Sequence, residues 1–162
     1  GMGSTFSFSA NFGLQTQNSY QNNMPKIDAE AEIKARYAGS LILLAEDEPI
    51  NQEVTRDLLE EARLHVDIAS NGQIAVDMIS RKDYALILLD MHMPVMDGEA
   101  AAQAIRATQR EKSLPLIALT ANAFADDRTR CMAAGMNDFI AKPINQPEFY
   151  ATLLRWLSAP KT

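Results

Sequence analysis

Tyr84-Ala85-Leu86-Ile87-Leu88-Leu89-Asp90 is a short apolar run that stops at a carboxylate. Its apolar residues do not alternate with polar ones, so it reads as a strand covered on both faces, as a central strand of a parallel sheet is. Three other runs have the same form. Leu41-Ile42-Leu43-Leu44-Ala45 runs into Glu46-Asp47, Leu116-Ile117-Ala118-Leu119 ends at Thr120, and Phe139-Ile140-Ala141 ends at Lys142-Pro143. If these strands are parallel, their carboxyl ends share one sheet edge. Acids, a hydroxyl and an ammonium from distant stretches then meet there.

Helical patterns fill the spaces between the runs. Pro49 can open a helix, and Ile50, Val54, Leu58 and Ala62 recur after it at helical spacing. His65 to Ala69 is a further strand, and Asn71 to Ser80 a helix with Ile74, Met78 and Ile79 expected inward. Asp97-Gly98 opens a third helix, Ala125 to Ala134 forms a fourth that stops at Gly135, and Gln146-Pro147 opens the last. Five such βα units predict an α/β fold, a doubly wound five-stranded parallel sheet with helices on both faces. Ligands in such sheets bind beyond the strand carboxyl ends.

The expected domain spans 40–159. Ahead of it, residues 14–39 read as a linker rich in Gln, Asn and Ser that ends in a short helix, with Asp28 as N-cap and Gly39 as terminator. Ile27, Ile33 and Tyr37 give that helix a thin apolar side. Residues 1–13 hold an alternating stretch from Thr5 to Phe12, with Phe6, Phe8, Ala10 and Phe12 on one face, the period of a half-buried strand. The alternative is a tag followed by a disordered arm.

A net charge of −6 over 162 residues argues against nucleic acid or an anionic membrane as partner. No apolar run approaches the roughly 18 residues of a membrane span. The opening residues lack the basic and apolar stretches of a secretory leader, and the one cysteine, Cys131, cannot form an internal disulfide. Cytoplasmic location follows as the expectation, with a parent protein that can be membrane-anchored. Cys131 itself reads as core packing.

Each residue at the strand tips has a plain structural role available to it. Glu46-Asp47-Glu48 can be a solvated turn before a helix, Thr120 a capping hydroxyl, and Lys142 an exposed charge. Asp90 changes the weighing, because two carboxylates about 4 Å apart repel by roughly 4 kcal/mol at an effective dielectric near 20. Acids packed together need a cation, and oxygen-only ligands call for a hard ion such as Mg²⁺, with Mn²⁺ as an alternative. Asp47 is the expected direct ligand, Glu46 a direct or water-mediated one, and Asp90 a ligand through one oxygen. The backbone carbonyl of His92 can add a donor while its side chain faces solvent. A carboxylate can also attack phosphorus. Lys142 would then offset charge on the phosphoryl oxygens and Thr120 would donate a hydrogen bond to one of them.

Four ordered segments, Leu43 to Val54, Leu89 to Gly98, Ala118 to Ala123 and Ala134 to Pro143, together resemble the receiver domain of two-component response regulators. The resemblance covers about Ser40 to Ser158. It implies the flavodoxin/CheY-like strand order 2-1-3-4-5. It also implies Mg²⁺-dependent phosphorylation of Asp90 by a phosphohistidine, delivered by a histidine kinase dimerisation domain or a histidine phosphotransfer protein. Thr120 and Phe139 are implied as a switch that changes an interaction surface. Phe in place of the commoner tyrosine removes a hydroxyl from that switch. Glu46-Asp47 followed by Pro49-Ile50-Asn51 is the style of receivers fused to hybrid sensor kinases, and Gly1 to Phe8 resembles the end of a kinase ATP-binding domain. The chain alone is then expected to be a phosphoryl acceptor rather than an enzyme. A homodimer is expected through its last helices or through the N-terminal strand.

Two rivals fit less well. A haloacid-dehalogenase-type phosphatase wants a second Asp two residues past its nucleophile, where this chain has His92. A dinucleotide-binding domain wants a glycine-rich turn after its first strand, where this chain has Glu46-Asp47-Glu48-Pro49.

Overall fold

The computed structural model describes residues 28–108, 113–121 and 125–159. The alternating stretch from Thr5 to Phe12 and the segment Gly13 to Pro25 lie outside them. In chain order the elements are α1 (Ala29–Arg36), β1 (Leu41–Ala45), α2 (Pro49–Glu61), β2 (His65–Ala69), α3 (Gly72–Ile79), β3 (Leu86–Asp90), α4 (Gly98–Ala107), β4 (Leu116–Thr120), α5 (Ala125–Ala133), β5 (Asp138–Ala141) and α6 (Gln146–Leu157). The strands form one parallel sheet in the order β2-β1-β3-β4-β5. β1, β3 and β4 lie inside the sheet, and β3 and β4 are buried at every position, which explains their unbroken apolar runs.

Helix starts follow local chemistry. Asp28, Asn71, Asp97 and Asn145 each accept a backbone N–H from the first turn of the helix that follows, and Pro49 and Pro147 sit where no intrahelical donor is needed.

Alternation along each strand sends its side chains to two separate cores. Leu43, Ala45, Ile87, Leu89, Leu116 and Ala118 face the side with α3, α4 and α5. Ile42, Leu44, Leu86, Leu88, Ile117 and Leu119 face the side with α2 and α6. Helix α1 joins this second core. It lies against α6 and contributes Ile33, which is fully buried, with Ala29 and Tyr37 packed around it.

Two helix faces differ from the expected ones. In α2 the buried residues are Thr55 and Leu59, while Ile50 and Val54 are 69% and 49% exposed. A row of residues four apart winds about 40° per step around a helix of 3.6 residues per turn, so the row from Ile50 to Ala62 starts in solvent and ends in the core. In α3 the inward residues are Gly72, Ala75 and Ile79, and Ile74 faces outward.

Candidate functional site

The strand ends are aligned by backbone hydrogen bonds that carry the ladder past the strands themselves. Glu46 N–H donates to Ala69, Met91 N–H to Leu119, and Lys142 N–H to Thr120. Registers pair Ala45 with Leu89, Asp90 with Leu119, and Thr120 with Ala141. Glu46, Asp90, Thr120 and Lys142 therefore stand at successive tips of one edge, as their places at the ends of the apolar runs suggest.

The same alternation that divides the core divides the tips. Glu46 follows Ile42 and Leu44, Asp90 follows Leu86 and Leu88, and Lys142 follows Ile140, so these three share the α2/α6 side. Thr120 follows Leu116 and Ala118 and takes the α5 side, as does Phe139.

Glu46, Asp90 and Lys142 make direct contact. The Lys142 ammonium lies 2.8 Å from Glu46 Oε2 and 3.1 Å from Asp90 Oδ2. Glu46 and Asp90 are buried, and Asp47 is exposed at the mouth. One carboxylate oxygen from each of Glu46, Asp47 and Asp90 falls within 4.8 Å of the others. Three carboxylates against one ammonium leave a formal excess of two negative charges, and every donor is an oxygen. Both facts fit a hard divalent cation. His92 is exposed, and its backbone N–H donates to Asp90 Oδ1 at 3.1 Å.

Burial pushes the Glu46 carboxyl above its ordinary 4.5; the hydrogen bond from Lys142 takes back part of the rise, and Asp90 adds to it. Burial also disfavours the Lys142 ammonium, but its bond to Glu46 and the charge of Asp90 outweigh that and raise its pKa above 10.5. Lys142 is therefore a fixed positive charge at neutral pH.

Thr120 and Phe139 meet a different element. Thr120 Oγ1 lies 3.5 Å from Asp127 Oδ2, and the Arg128 guanidinium sits 5.1 Å from the centre of the Phe139 ring. Asp127 and Arg128 are consecutive residues near the start of α5. Cys131, on the inner face of the same helix, is buried, its sulfur 3.6 Å from that of Met91.

Sequence reasoning assigned no role to several supporting residues. Gln52 Nε2 donates to the Glu46 carbonyl at 2.6 Å and holds the acid loop from one turn inside α2. Gly98 backs directly onto the Asp90 carbonyl, where any side chain would collide with the backbone. Val95 has φ +68° and lies inside a Met96 N–H to Pro94 carbonyl bond of 2.7 Å, a three-residue turn that is strained for a β-branched residue. Gln52 lies within the segment that carries the resemblance. The approach of Asp127 to Thr120 has no signal in residue spacing.

A parallel sheet in this order, with an acid cluster and a lysine at its carboxyl edge, defines a phosphoryl-receiving signalling domain. The profile of the response regulator receiver domain matches residues 42–154, and the chain belongs to that family, the receivers of two-component phosphorelays. Among curated relatives it is 36% identical over 118 residues to the sensor protein GacS of Pseudomonas syringae pv. syringae, matching 71% of this chain and 13% of that protein. Among solved structures it resembles the receiver domain of the sensor histidine kinase PA1611 from Pseudomonas aeruginosa PAO1, at 43% identity and TM-score 0.71, over 75% of this chain and all of that one. That structure holds a magnesium ion in its active site cleft. A further match, at 27% identity and TM-score 0.69 over 74% of this chain and 89% of the other, is to the Saccharomyces cerevisiae co-crystal of the histidine phosphotransfer protein Ypd1 with the receiver domain of the response regulator Ssk1. The chain thus spans about an eighth of the length of the GacS relative.

Proposed function

We propose that Asp90 is the phosphoryl acceptor of this chain and that the donor is a phosphohistidine on a histidine kinase dimerisation domain or a histidine phosphotransfer protein. The observation that carries this reading is the bridging of Glu46 and Asp90 by Lys142 beside the exposed carboxylate of Asp47.

Glu46, Asp47 and Asp90 would hold Mg²⁺, with the His92 carbonyl as a further donor and Mn²⁺ as the alternative ion. Bound there, the ion supplies positive charge opposite the phosphoryl oxygens. An Asp90 oxygen forms a bond to phosphorus as the bond from phosphorus to the donor imidazole nitrogen breaks; the imidazole leaves with that electron pair. The product is an aspartyl phosphate. Lys142 supplies a second positive charge to the transferred group, and Thr120 donates its hydroxyl hydrogen to a phosphoryl oxygen. Thr120 and Phe139 together then convert occupancy of Asp90 into a changed surface around α5 and β5.

Ile50 and Val54, one helical turn apart on α2, which follows the acid loop, are exposed, as is Val95 past β3. An exposed apolar pair at that spacing suits a helical donor domain. Likeness to a sensor protein and to a hybrid signal transduction histidine kinase supports a hybrid sensor histidine kinase as parent protein, and the receiver is proposed to be cytoplasmic. The chain itself is then a phosphoryl acceptor that assists its own phosphorylation and dephosphorylation.

Acetyl phosphate with Mg²⁺ is expected to add one phosphoryl group, read by intact-mass spectrometry, and Asp90→Asn to abolish the addition. Equal labelling of both proteins would remove Asp90 from its role.

A further inference from the structure

Thr120 carries one hydroxyl hydrogen and can give it to one strong acceptor at a time. In this structure it faces Asp127 Oδ2 at 3.5 Å, long for an O–H···O contact, so the bond is weak and easily exchanged. Thr120 is 1% exposed, and the Asp127 side chain is largely covered. Asp127 has further company in Arg130, whose guanidinium lies 3.9 Å away, so its carboxylate keeps a partner after losing the hydroxyl. The neighbouring residue, Arg128, stacks on Phe139. One helical turn therefore touches Thr120 through an acid and Phe139 through a base. Strand alternation fixes this, because Thr120, at the tip of β4, and Phe139, within β5, both face α5.

We propose that Asp127 is a positioning residue for Thr120: it holds the hydroxyl towards α5 until a phosphoryl group on Asp90 outcompetes it, and so sets how readily the phosphorylated state forms. This rests on Asp90 being the acceptor. Transfer of the hydrogen bond from Asp127 to the phosphoryl oxygen loosens the seat of the first turn of α5, the turn that carries Arg128 against Phe139. The site and the α5/β5 surface are coupled through that exchange.

The test measures affinity for beryllium fluoride, a phosphoryl analogue, in the presence of Mg²⁺, alongside labelling by acetyl phosphate. Asp127→Ala is expected to bind the analogue about twofold more tightly, the lower end of what one hydrogen bond is worth, with Mg²⁺ affinity in the absence of the analogue unchanged. Asp127→Asn keeps an acceptor oxygen and is expected to fall between wild type and the Ala variant. The gap between the Ala and Asn variants is expected to close in a Thr120→Ala background, where no hydroxyl remains. Unchanged or weaker analogue binding by Asp127→Ala, or a gap that survives without the hydroxyl, would overturn the proposal. Failure of the wild type to take label at Asp90 would instead overturn the function on which it rests.

Discussion

Lys142 lies between the carboxylates of Glu46 and Asp90 and is paired with both. Burial, with Asp90 adding to it and the bond from Lys142 offsetting only part, makes Glu46 hold its proton more tightly than an ordinary carboxylate. A metal ligand must be deprotonated. Mg²⁺ affinity, measured by titration calorimetry, is therefore expected to fall on acidification while the pH is still above the ordinary carboxylate value of 4.5. Glu46→Gln is expected to flatten that acid fall while weakening binding throughout. The meeting of Glu46, Asp90 and Lys142 was legible in the sequence, since each ends an apolar run and parallel strands bring such ends together. The separation of Thr120 from them was also written there, in its odd or even place along the strand, but a list of tips does not display it. Asp127 was not legible: its place near Thr120 depends on how α5 sits against the sheet.

At the scale of elements, the strands were the easier part. Their side chains are buried on both faces, so an unbroken apolar run has one reading. Helices with one wet face are read by phase, and phase drifts along a row of residues four apart. Ile50 and Val54 show the result, apolar residues in a regular row that nonetheless lie in water. Side-chain bonds between helices were beyond reach for the same reason. The Tyr150 phenol of α6 donates to the Leu58 carbonyl of α2 at 2.7 Å, tying two helices that are 92 residues apart in sequence. Burial, with the charges of Glu30 and Glu61 nearby, pushes its pKa from 10.0 to about 12. A phenol whose folded pKa is raised contributes stability that is complete below its unfolded value and is lost as pH rises towards the folded one. Denaturant unfolding across that alkaline window should show wild-type stability declining and Tyr150→Phe declining less. At neutral pH the variant should be about 1 kcal/mol less stable, the usual worth of such a bond, because Leu58 still accepts from Ala62.

Over the whole molecule, α1 is the element whose place was least legible. Its apolar side is thin, and a few apolar residues on one short helix say nothing about what they pack against. Ile33 is nonetheless fully buried in the core shared by α2 and α6. Ile33→Ala should lower unfolding free energy by about 2–5 kcal/mol, the range for truncating a buried aliphatic side chain, as read by chemical denaturation. An effect near zero would mean that α1 does not hold its docked position in solution. The bridging lysine has a consequence at this scale too. Because the ammonium already reconciles two buried carboxylates, completing the tertiary structure does not wait on a captured ion. With Mg²⁺ bound as proposed, assembly and loading would be separate events, and a finished domain could gain or shed the ion without coming apart.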